Sequence, residues 1–331
     1  MASRKFRVHI ENLRAQAPVF HITPERYEQV ASRNRDCAER IEVSIGWDGD
    51  IYDAAIAEAD ALIGWRFPRD DLTRRAPALK WIHLTGAGVE HVMPLDWLPP
   101  TVVLTNNRGV HADKAGEYVA MAVLALNTRL PFYASNKVAR RWEREFASTV
   151  TGKTIVIVGV GNMGGAGARR CKAMGMHVIG VRASGAPAEH VDEMVKPEQL
   201  AEVLPRADFL LVTVPLTPQT RNLIGREQLE MLRPSCGVIN IARAAVMDYD
   251  ALFEKLQRRE ISGAILDVFE PEPLPPDSPA WNVENVIMTP HVSSDDSERY
   301  AINTVELFFS NFRRFVSGLP LVNRVDPMRQ Y

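Results

Sequence analysis

The sequence predicts an α/β protein built from two doubly wound parallel sheets. Short apolar runs of strand length alternate with helix-length segments in two separate stretches of the chain, as parallel strands joined by crossover helices do. One of these runs opens directly into a glycine-rich loop. The chain has 331 residues, more than one compact core usually organises, so two domains are expected.

The first stretch predicts a small parallel α/β unit. Its candidate strands are rich in β-branched or bulky apolar residues, and polar, helix-permissive segments such as 25–38 separate them. The candidate strands are residues 6–10, 41–45, 61–64, 81–84 and 102–105.

The second stretch predicts a longer sheet. Six candidate strands follow one another, most of them joined by connections long enough for a crossover helix, and six such strands make two mononucleotide-binding halves. They are residues 154–158, 177–181, 209–214, 237–241, 264–268 and 286–289.

Two helices are expected beside the second stretch. The segment from Ala112 is apolar on nearly all sides, which predicts a helix buried between domains or between subunits. An apolar stripe over 302–316 follows a polar capping stretch, 293–296, and predicts a C-terminal helix. If this helix packs back onto the first unit, that domain is discontinuous. We therefore predict one domain of residues 1–106 and 296–331 and a second of residues 107–295.

The bulk composition excludes several classes of function. The formal charge of −2 creates no global field for nucleic acid or an acidic membrane, and no basic run is interleaved with aromatic residues. No apolar run approaches the roughly 20 residues that span a bilayer, and the N-terminus lacks signal-peptide features. Cys37, Cys171 and Cys236 have neither disulfide nor zinc-site spacing. A cytoplasmic protein with reduced thiols is expected.

The glycine loop predicts dinucleotide binding. Residues 159–164 read Gly-Val-Gly-Asn-Met-Gly after an apolar run, and a helical segment is expected over 166–174. Gly159 permits the tight turn, Gly161 lets backbone N–H groups approach a pyrophosphate, and Gly164 lets the helix lie close to the strand. The anionic phosphates also gain from the helix N-terminus. The alternative is an incidental glycine-rich turn.

The residues after the next strand bear on the choice between NAD and NADP. An acidic side chain there binds the ribose 2′-hydroxyl of NAD, but this chain has Arg182, with Ser184 two positions later. Arginine suits a 2′-phosphate through its charge and paired N–H donors, and serine adds a hydroxyl. We therefore predict NADP as the preferred cofactor. The alternative is a solvent-facing arginine in a protein that uses NAD.

Three ionisable residues, Arg243, Glu272 and His291, each follow a candidate strand of the second stretch. Ligands bind outside the carboxyl ends of such strands, so the three side chains are expected to meet. Arginine can fork onto a carboxylate and a carbonyl, and a histidine beside a carboxylate is stabilised as a proton-donating imidazolium. Each residue alone is more simply a salt-bridge, surface or core residue. Together with the glycine loop they predict a nicotinamide-dependent oxidoreductase.

Other segments are less specific. The loop 85–89, Thr-Gly-Ala-Gly-Val, follows a strand of the first stretch and has the composition of a backbone nest for a carboxylate, although a plain βα turn is the alternative. Trp65 and Arg66 follow another strand and are candidate pocket residues. No metal is expected, because the remaining histidines lack metal-ligand spacing and have the character of loop or packing residues. These histidines include His83, His91 and His111.

The chain resembles the D-isomer-specific 2-hydroxyacid dehydrogenase family over nearly its whole length. The arginine at position 182 makes it similar to the glyoxylate/hydroxypyruvate reductase branch, which often prefers NADP. The motifs that carry the resemblance stand in the family's order at residues 159–164, 214–220, 239–243, 266–274 and 289–291.

The resemblance implies a Rossmann nucleotide-binding domain inserted into a split, flavodoxin-like substrate domain, with the active site in the cleft between them. It implies homodimers built largely through the nucleotide-binding domains and their long first helix, here 112–129. It also implies NAD(P)H-dependent reduction of a small 2-oxo acid, glyoxylate- or hydroxypyruvate-like, to the D-2-hydroxy acid.

Carried over residue by residue, the resemblance implies that His291 donates the proton to the carbonyl oxygen. It implies that Arg243 orients and polarises the 2-oxo acid and that Glu272 holds His291 and stabilises its charge. Formate dehydrogenases of the family pair the histidine with glutamine, so an acid favours carbonyl reduction. The substrate carboxylate is expected at the backbone of Ala87, Gly88 and Val89. The expected cofactor contacts are Gly159, Gly161, Asn162, Met163, Gly164, Arg182, Ser184, Val214, Pro215, Thr220, Ile241, Ala242, Arg243, Asp267 and His291.

Two departures from the family pattern support an alternative of another class. Ala244 and Ala245 stand where glycine usually follows the arginine, and a Cβ at this position is able to shift the loop. Residues 292–296 are more polar and acidic than is usual in the family. The alternative is a dinucleotide-sensing module of the same fold, like the family's transcriptional corepressors, that binds the cofactor without turnover.

Overall fold

The computed structural model describes residues 4–326. Its contacts divide the chain into two compact units, one formed by residues up to Val110 and from Asp296 onward, the other by His111–Asp295. The sequence placed the boundaries at 106/107 and 295/296, within four residues of this division.

The first unit contains a five-stranded parallel sheet in the order β2-β1-β3-β4-β5, which is a flavodoxin-like doubly wound order. All five predicted strands are present, although the first two run two residues further than predicted. The strands are β1 (Phe6–Asn12), β2 (Ile41–Trp47), β3 (Ala61–Gly64), β4 (Trp81–Leu84) and β5 (Val103–Thr105). The helices are α1 (Pro24–Ala31), α2 (Arg35–Ala38), α3 (Tyr52–Ile56) and α4 (Leu72–Arg75).

The second unit begins with two helices, α5 (Ala112–Asn127) and α6 (Leu130–Val138), and continues into a seven-stranded sheet. The strands are β6 (Thr154–Val158), β7 (His177–Val181), β8 (Glu193–Val195), β9 (Phe209–Val212), β10 (Gly237–Asn240), β11 (Gly263–Leu266) and β12 (Val286–Met288). The helices between them are α7 (Asn162–Ala173), α8 (Leu200–Val203), α9 (Arg226–Glu230) and α10 (Tyr249–Gln257).

The order of this sheet, β12-β11-β10-β9-β6-β7-β8, is the doubly wound dinucleotide-binding order with one strand added at the β12 edge. Every pair is parallel. The six predicted strands are confirmed, but the sheet has a seventh, β8. It was missed because it has three residues and begins with a charged one, Glu193, which pairs with Arg206 at 2.6 Å.

Helix α7 begins earlier than predicted, at Asn162 rather than Ala166. The small residues of α7 lie against α5: a Cβ on Gly116 would lie 3.2 Å from the Ala166 carbonyl oxygen, and one on Gly167 would lie 3.2 Å from Val119. A larger residue at either position would push the neighbouring helix away by a few tenths of an ångström, so glycine favours this close approach. Helix α5 therefore has one tightly packed face, while Met121 and Leu124 on its other side are 44 % and 45 % exposed.

The last helix, α11 (Tyr300–Val316), returns to the first unit, as predicted. Its buried face contains Val305, Phe308, Phe309 and Phe312, and the Phe308 ring stacks on Trp81 with centroids 4.3 Å apart. Burying each phenylalanine side chain stabilises the folded state by about 1.5–3 kcal/mol relative to leaving it in water. The first domain is thus assembled from both ends of the chain.

The predicted cap of this helix is displaced. Asp296 accepts the N–H groups of Glu298 and Arg299, both at 2.9 Å, so it closes the turn that precedes α11. The residue at the N-cap is Arg299, whose side chain makes no capping hydrogen bond. Among residues 4–326, no helix combines the length and the apolar character needed to cross a membrane.

Candidate active site

The glycine loop follows β6 and is shaped by close backbone contacts. Gly159 has φ 102°, and a Cβ there would lie 2.7 Å from a Val214 methyl group. A Cβ on Gly164 would lie 2.1 Å from the Gly159 carbonyl oxygen. Gly159 is required because its φ angle is positive, and Gly164 is required because there is no space for a Cβ.

Gly161 differs, because a Cβ there would meet nothing within 4 Å. The loop thus leaves open space directly before α7, which begins at Asn162. The first N–H groups of a helix have no partner inside the helix and attract an anion. The space and the donors fit the pyrophosphate of a dinucleotide.

The segment after β9 forms a second wall beside this loop. Thr213 donates its hydroxyl to the Gly159 carbonyl at 2.5 Å, and Val214 packs on Gly159. The Thr220 hydroxyl donates to the Pro215 carbonyl at 2.6 Å and accepts the Thr217 N–H at 2.8 Å. The Thr220 hydroxyl therefore closes this turn, which leaves Pro215 exposed beside the loop.

Arg182 and Ser184 lie exposed in a turn after β7. The Gly185 N–H bonds the Arg182 carbonyl at 2.9 Å, and the Ser184 hydroxyl accepts the Ala186 N–H at 3.3 Å. Lys196, which follows β8, packs its methylenes on this turn, since a Cβ on Gly185 would lie 3.2 Å from them. The Lys196 cation was not anticipated, because it depends on the unpredicted strand β8.

His291 and Glu272 form a hydrogen-bonded pair. The Nδ1 atom of His291 lies 2.7 Å from Glu272 Oε2, and the side chains are 42 % and 36 % exposed. The other carboxylate oxygen of Glu272 accepts the Phe269 N–H at 2.8 Å. Glu272 is therefore fixed by its own loop, and its contact with Nδ1 leaves the Nε2 edge of the imidazole available to a ligand.

Asp267 follows β11 and is fully buried. Its carboxylate accepts the Thr289 hydroxyl at 2.5 Å, the Val292 N–H at 2.9 Å and the Ser293 N–H at 3.0 Å. Its hydrogen bonds therefore hold the segment that contains His291. Within the polar stretch 292–296, the donors of these bonds are therefore the backbone N–H groups of Val292 and Ser293.

Tyr118 on α5 extends this network, and the sequence did not single it out. Its hydroxyl lies 2.6 Å from the Thr289 hydroxyl. Burial raises the pKa of Tyr118 to about 12. In the sequence it is one member of an apolar helix, and no local signal distinguishes it from a packing residue.

Arg243 follows β10 in an extended conformation and donates from Nη1 to the Ala242 carbonyl at 2.8 Å. Asn240 holds this segment, because its side chain donates to the Arg243 carbonyl at 3.2 Å and accepts the Ala242 N–H at 2.9 Å. Ile241 and Ala242, between β10 and Arg243, are buried, at 3 % and 5 % exposure.

Two alanines, Ala244 and Ala245, follow Arg243 in the chain. Ala244 opens a 3-10 turn, Ala244–Val246, in which the Met247 N–H bonds the Ala244 carbonyl at 3.0 Å. Ala244 and Ala245 have no positive φ angle. Glycine is needed where φ is positive, so alanine is accommodated without strain.

Two more titratable groups lie within electrostatic reach of His291. Burial lowers the pKa of His111 to about 4, with smaller contributions from the positive charges of Arg243 and His291. Burial raises the pKa of Asp295 to about 6, although the charge of His291 opposes this shift. His111 is therefore a neutral neighbour of the pair near pH 7, whereas the sequence analysis predicted an ordinary loop or packing histidine.

The loop 85–89 of the first unit is held by two asparagines that the sequence did not predict. Asn106 donates to the Ala87 carbonyl at 2.7 Å, and Asn107 donates to the Thr85 carbonyl at 2.9 Å. The Trp65 ring covers Gly86, where a Cβ would lie 2.0 Å from it, and stacks on His91 with centroids 3.6 Å apart. Ala87, Gly88 and Val89 thus belong to a well-anchored loop.

In the second unit, parallel pairing brings the glycine loop, Arg182, Val214, Arg243 and His291 to the carboxyl-terminal edge of one sheet. Such an edge is where doubly wound sheets bind their ligands. Among residues 4–326, no cluster of three or more histidine, cysteine, aspartate or glutamate side chains has the arrangement of a metal site.

Comparison with known families matches residues 120–293 to the model described as D-isomer specific 2-hydroxyacid dehydrogenase, NAD binding domain. The match lies within the second unit and covers more than half of the chain. The unit that carries the glycine loop is therefore an NAD(P)-binding domain.

Known proteins match over most of the chain. Glyoxylate/hydroxypyruvate reductase B of Pectobacterium carotovorum is 36 % identical over 289 residues, which are 82 % of this chain and 87 % of the relative. Other relatives are longer, and the chain spans about half the length of the D-3-phosphoglycerate dehydrogenases that it matches. The Methanocaldococcus jannaschii protein is 32 % identical over 265 residues, which are 78 % of this chain and 50 % of that protein.

Solved structures show the same fold. A D-isomer specific 2-hydroxyacid dehydrogenase from Xanthobacter autotrophicus, in complex with NADPH and MES, has a TM-score of 0.83 at 28 % identity, covering 99 % of this chain and 100 % of that one. The NADPH-dependent glyoxylate/hydroxypyruvate reductase of Sinorhizobium meliloti, in complex with NADP and sulfate, has a TM-score of 0.80 at 30 % identity, with the same coverage of 99 % and 100 %.

Gly161→Ala is expected to separate cofactor binding from folding. The added methyl group meets no protein atom within 4 Å, so the melting temperature should stay near that of the wild type. It enters the space assigned to the pyrophosphate, so NADPH binding should weaken at least about tenfold, as measured by fluorescence titration. Gly165→Ala, with equal space one turn into α7, is the matched control and should bind normally. Wild-type affinity in Gly161→Ala would contradict the assignment.

Proposed function

We propose that this chain, which belongs to the D-isomer specific 2-hydroxyacid dehydrogenase family, reduces a small 2-oxo acid to the D-2-hydroxy acid with NADPH or NADH. The observation that carries the proposal is the His291–Glu272 pair, 2.7 Å apart, at the sheet edge that also carries Arg243 and the glycine loop. A proton donor, a cation for the substrate and a dinucleotide site are the parts that carbonyl reduction requires.

When bound, the reduced nicotinamide supplies the hydride for the carbonyl carbon. His291 gives the proton to the carbonyl oxygen from Nε2, while its Nδ1 stays hydrogen-bonded to Glu272. The Glu272 carboxylate stabilises the charged imidazolium before the transfer. A glutamine at position 272 would keep the hydrogen bond without this charge, so the acid suits a proton donor.

Arg243 is proposed to orient the substrate and polarise its carbonyl. The guanidinium carries five N–H donors in a planar fork, and one of them is bonded to the Ala242 carbonyl at 2.8 Å. We assign the substrate carboxylate to the backbone of Ala87, Gly88 and Val89, whose loop is anchored by Asn106 and Asn107.

The proposed cofactor preference is NADP. Arg182 and Lys196 place two exposed positive side chains around the turn that contains Ser184, where a ribose-binding acid is absent. A phosphate monoester carries close to two negative charges at pH 7, so both cations favour it. The NADP or NADPH bound in two similar solved structures agrees with this assignment.

The proposed substrates are glyoxylate, hydroxypyruvate or similarly small 2-oxo acids. This choice follows relatives such as the Pectobacterium glyoxylate/hydroxypyruvate reductase B, which is 36 % identical. We also propose a cytoplasmic location, which agrees with three cysteines that are all free and buried. Buried free thiols are typical of proteins in reducing compartments.

We further propose a homodimer formed through the second unit. The last residue of α6, Val138, is 85 % exposed, and Trp142 and Phe146 in the segment after it are both 90 % exposed. The outer side of α5 exposes Met121 and Leu124. Large apolar side chains clustered along one segment are typical of an interaction surface. A second copy of the chain is the occupant that the family resemblance indicates.

Loss of NADPH absorbance with glyoxylate and hydroxypyruvate tests the reaction. His291→Ala should lower kcat by about 10²–10⁴-fold, because general acid catalysis is lost. Glu272→Gln should lower kcat less. His177→Ala, at the amino-terminal end of β7, should match the wild type.

Two results would contradict the proposed reaction. Wild-type turnover of every tested 2-oxo acid by His291→Ala would remove the assigned proton donor. Tight NADPH binding by the wild type without turnover of any 2-oxo acid would favour the dinucleotide-sensing module.

Arg182→Ala tests the cofactor preference. Losing a charge-assisted contact to the 2′-phosphate should raise the KM for NADPH about 10- to 100-fold and leave the KM for NADH within about twofold. Arg233→Ala, an exposed arginine before β10, is the control and should change neither value. Equal effects on both cofactors would reduce Arg182 to a surface residue.

Trp142→Glu tests the dimer. A charge on this 90 % exposed indole should convert a dimer into a monomer, as measured by size-exclusion chromatography with light scattering at micromolar concentration. Trp281→Glu, at an indole that is 51 % exposed, is the matched control and should remain dimeric. A monomeric wild type, or a dimeric Trp142→Glu, would contradict the proposal.

A further inference from the structure

The segment that carries His291 has an unusual backbone conformation. His291 has φ 54°, in the left-handed region that residues with a Cβ rarely adopt. Its N–H bonds the Asp267 carbonyl at 2.8 Å, and the next two N–H groups, of Val292 and Ser293, bond the Asp267 carboxylate. The direction of the imidazole therefore depends on how firmly Asp267 is held.

The direction of each hydrogen bond between Asp267, Thr289 and Tyr118 follows from which group is able to donate. A carboxylate only accepts, so the Thr289 hydroxyl donates its hydrogen to Asp267 at 2.5 Å. Thr289 then has only lone pairs for its contact with Tyr118, so the Tyr118 hydroxyl donates to Thr289 at 2.6 Å. Tyr118, Thr289 and Asp267 form one chain of hydrogen bonds that runs in a single direction.

The buried surroundings of these three side chains make the series of hydrogen bonds rigid. Asp267 is fully buried and Tyr118 is 9 % exposed. Burial raises the pKa of Tyr118 further above its ordinary value near 10, so the phenol is a hydrogen-bond donor at physiological pH. Hydrogen bonds between buried groups strengthen one another, because each donor polarises the next.

We propose that Tyr118 is a positioning residue that holds His291 in the orientation for proton transfer, acting through Thr289 and Asp267. The Tyr118 hydroxyl bonds Thr289, so it acts on the His291 segment through Thr289 and Asp267. Its effect on the proton transfer rests on the proposed function, whereas its effect on the 289–293 segment is independent of it. The helix α5 thereby supports the reacting side chain as well as the core of the second unit.

Tyr118→Phe removes one hydroxyl and keeps the ring. Amide hydrogen exchange in residues 289–296, measured by mass spectrometry, should become about three- to tenfold faster, because the Asp267 acceptor is held less firmly. The kcat should fall about three- to tenfold, while the KM values and NADPH affinity stay unchanged. The solvent deuterium isotope effect on kcat should rise, since a misplaced imidazole makes proton transfer more rate-limiting.

A double-mutant cycle tests whether the two hydroxyls act as one chain. Thr289→Val breaks both hydrogen bonds and should lower kcat more than Tyr118→Phe. The variant with both substitutions should be no slower than Thr289→Val alone, because the Tyr118 hydroxyl then has nothing to act through. Additive losses in kcat would overturn the proposal.

Tyr52→Phe is the matched control. Tyr52 is a buried tyrosine of the first unit whose hydroxyl donates one hydrogen bond, to the Pro68 carbonyl at 3.0 Å. Its loss should leave exchange in 289–296 and the solvent isotope effect unchanged. Unchanged exchange in Tyr118→Phe would overturn the positioning role. A wild type that turns over no 2-oxo acid defeats the proposed function, and the exchange measurement still decides the role of Tyr118.

Discussion

Parallel pairing of the seven strands in the second unit is the constraint on which its chemistry depends. Each strand leaves the sheet at the same edge, so every residue that follows a strand arrives there whatever its distance in sequence. Gly159, Arg243 and His291 are brought together in this way. The reversal of strand order between β6 and β9 makes the crevice in which doubly wound sheets bind dinucleotides.

Two carboxylates at this edge have different roles because their surroundings differ. Asp267 is buried and accepts three hydrogen bonds from the segment containing His291, so its charge is stabilised within the protein. Glu272 is 36 % exposed and accepts one backbone N–H besides its contact with His291. Asp267 therefore fixes where the histidine lies, and Glu272 bonds the Nδ1 edge of its imidazole.

The first unit is stabilised by packing between the two ends of the chain and by side-chain hydrogen bonds to its loops. Its core is completed by α11 from the far end of the chain, with Phe308 stacked on Trp81. The loop 85–89 is anchored by side-chain amides of Asn106 and Asn107, which bond backbone carbonyls that a turn would otherwise leave to water. A loop held in this way can present backbone donors in a fixed arrangement.

Within residues 4–326, the sequence by itself determined the two α/β units, eleven of the twelve strands, the glycine loop and the sheet edge at which the strands before Arg243, Glu272 and His291 end. These features follow from local periodicity and from the rule that parallel strands end together. Only the tertiary structure decided what Asp267, Tyr118, Lys196 and His111 do. Their roles depend on contacts between segments far apart in the chain, as between Tyr118 and Thr289, 171 positions apart. A hydrogen bond between residues so far apart has no signature in the local sequence. Taken alone, Tyr118 is an ordinary helix residue and Thr289 is an ordinary residue at the end of a strand.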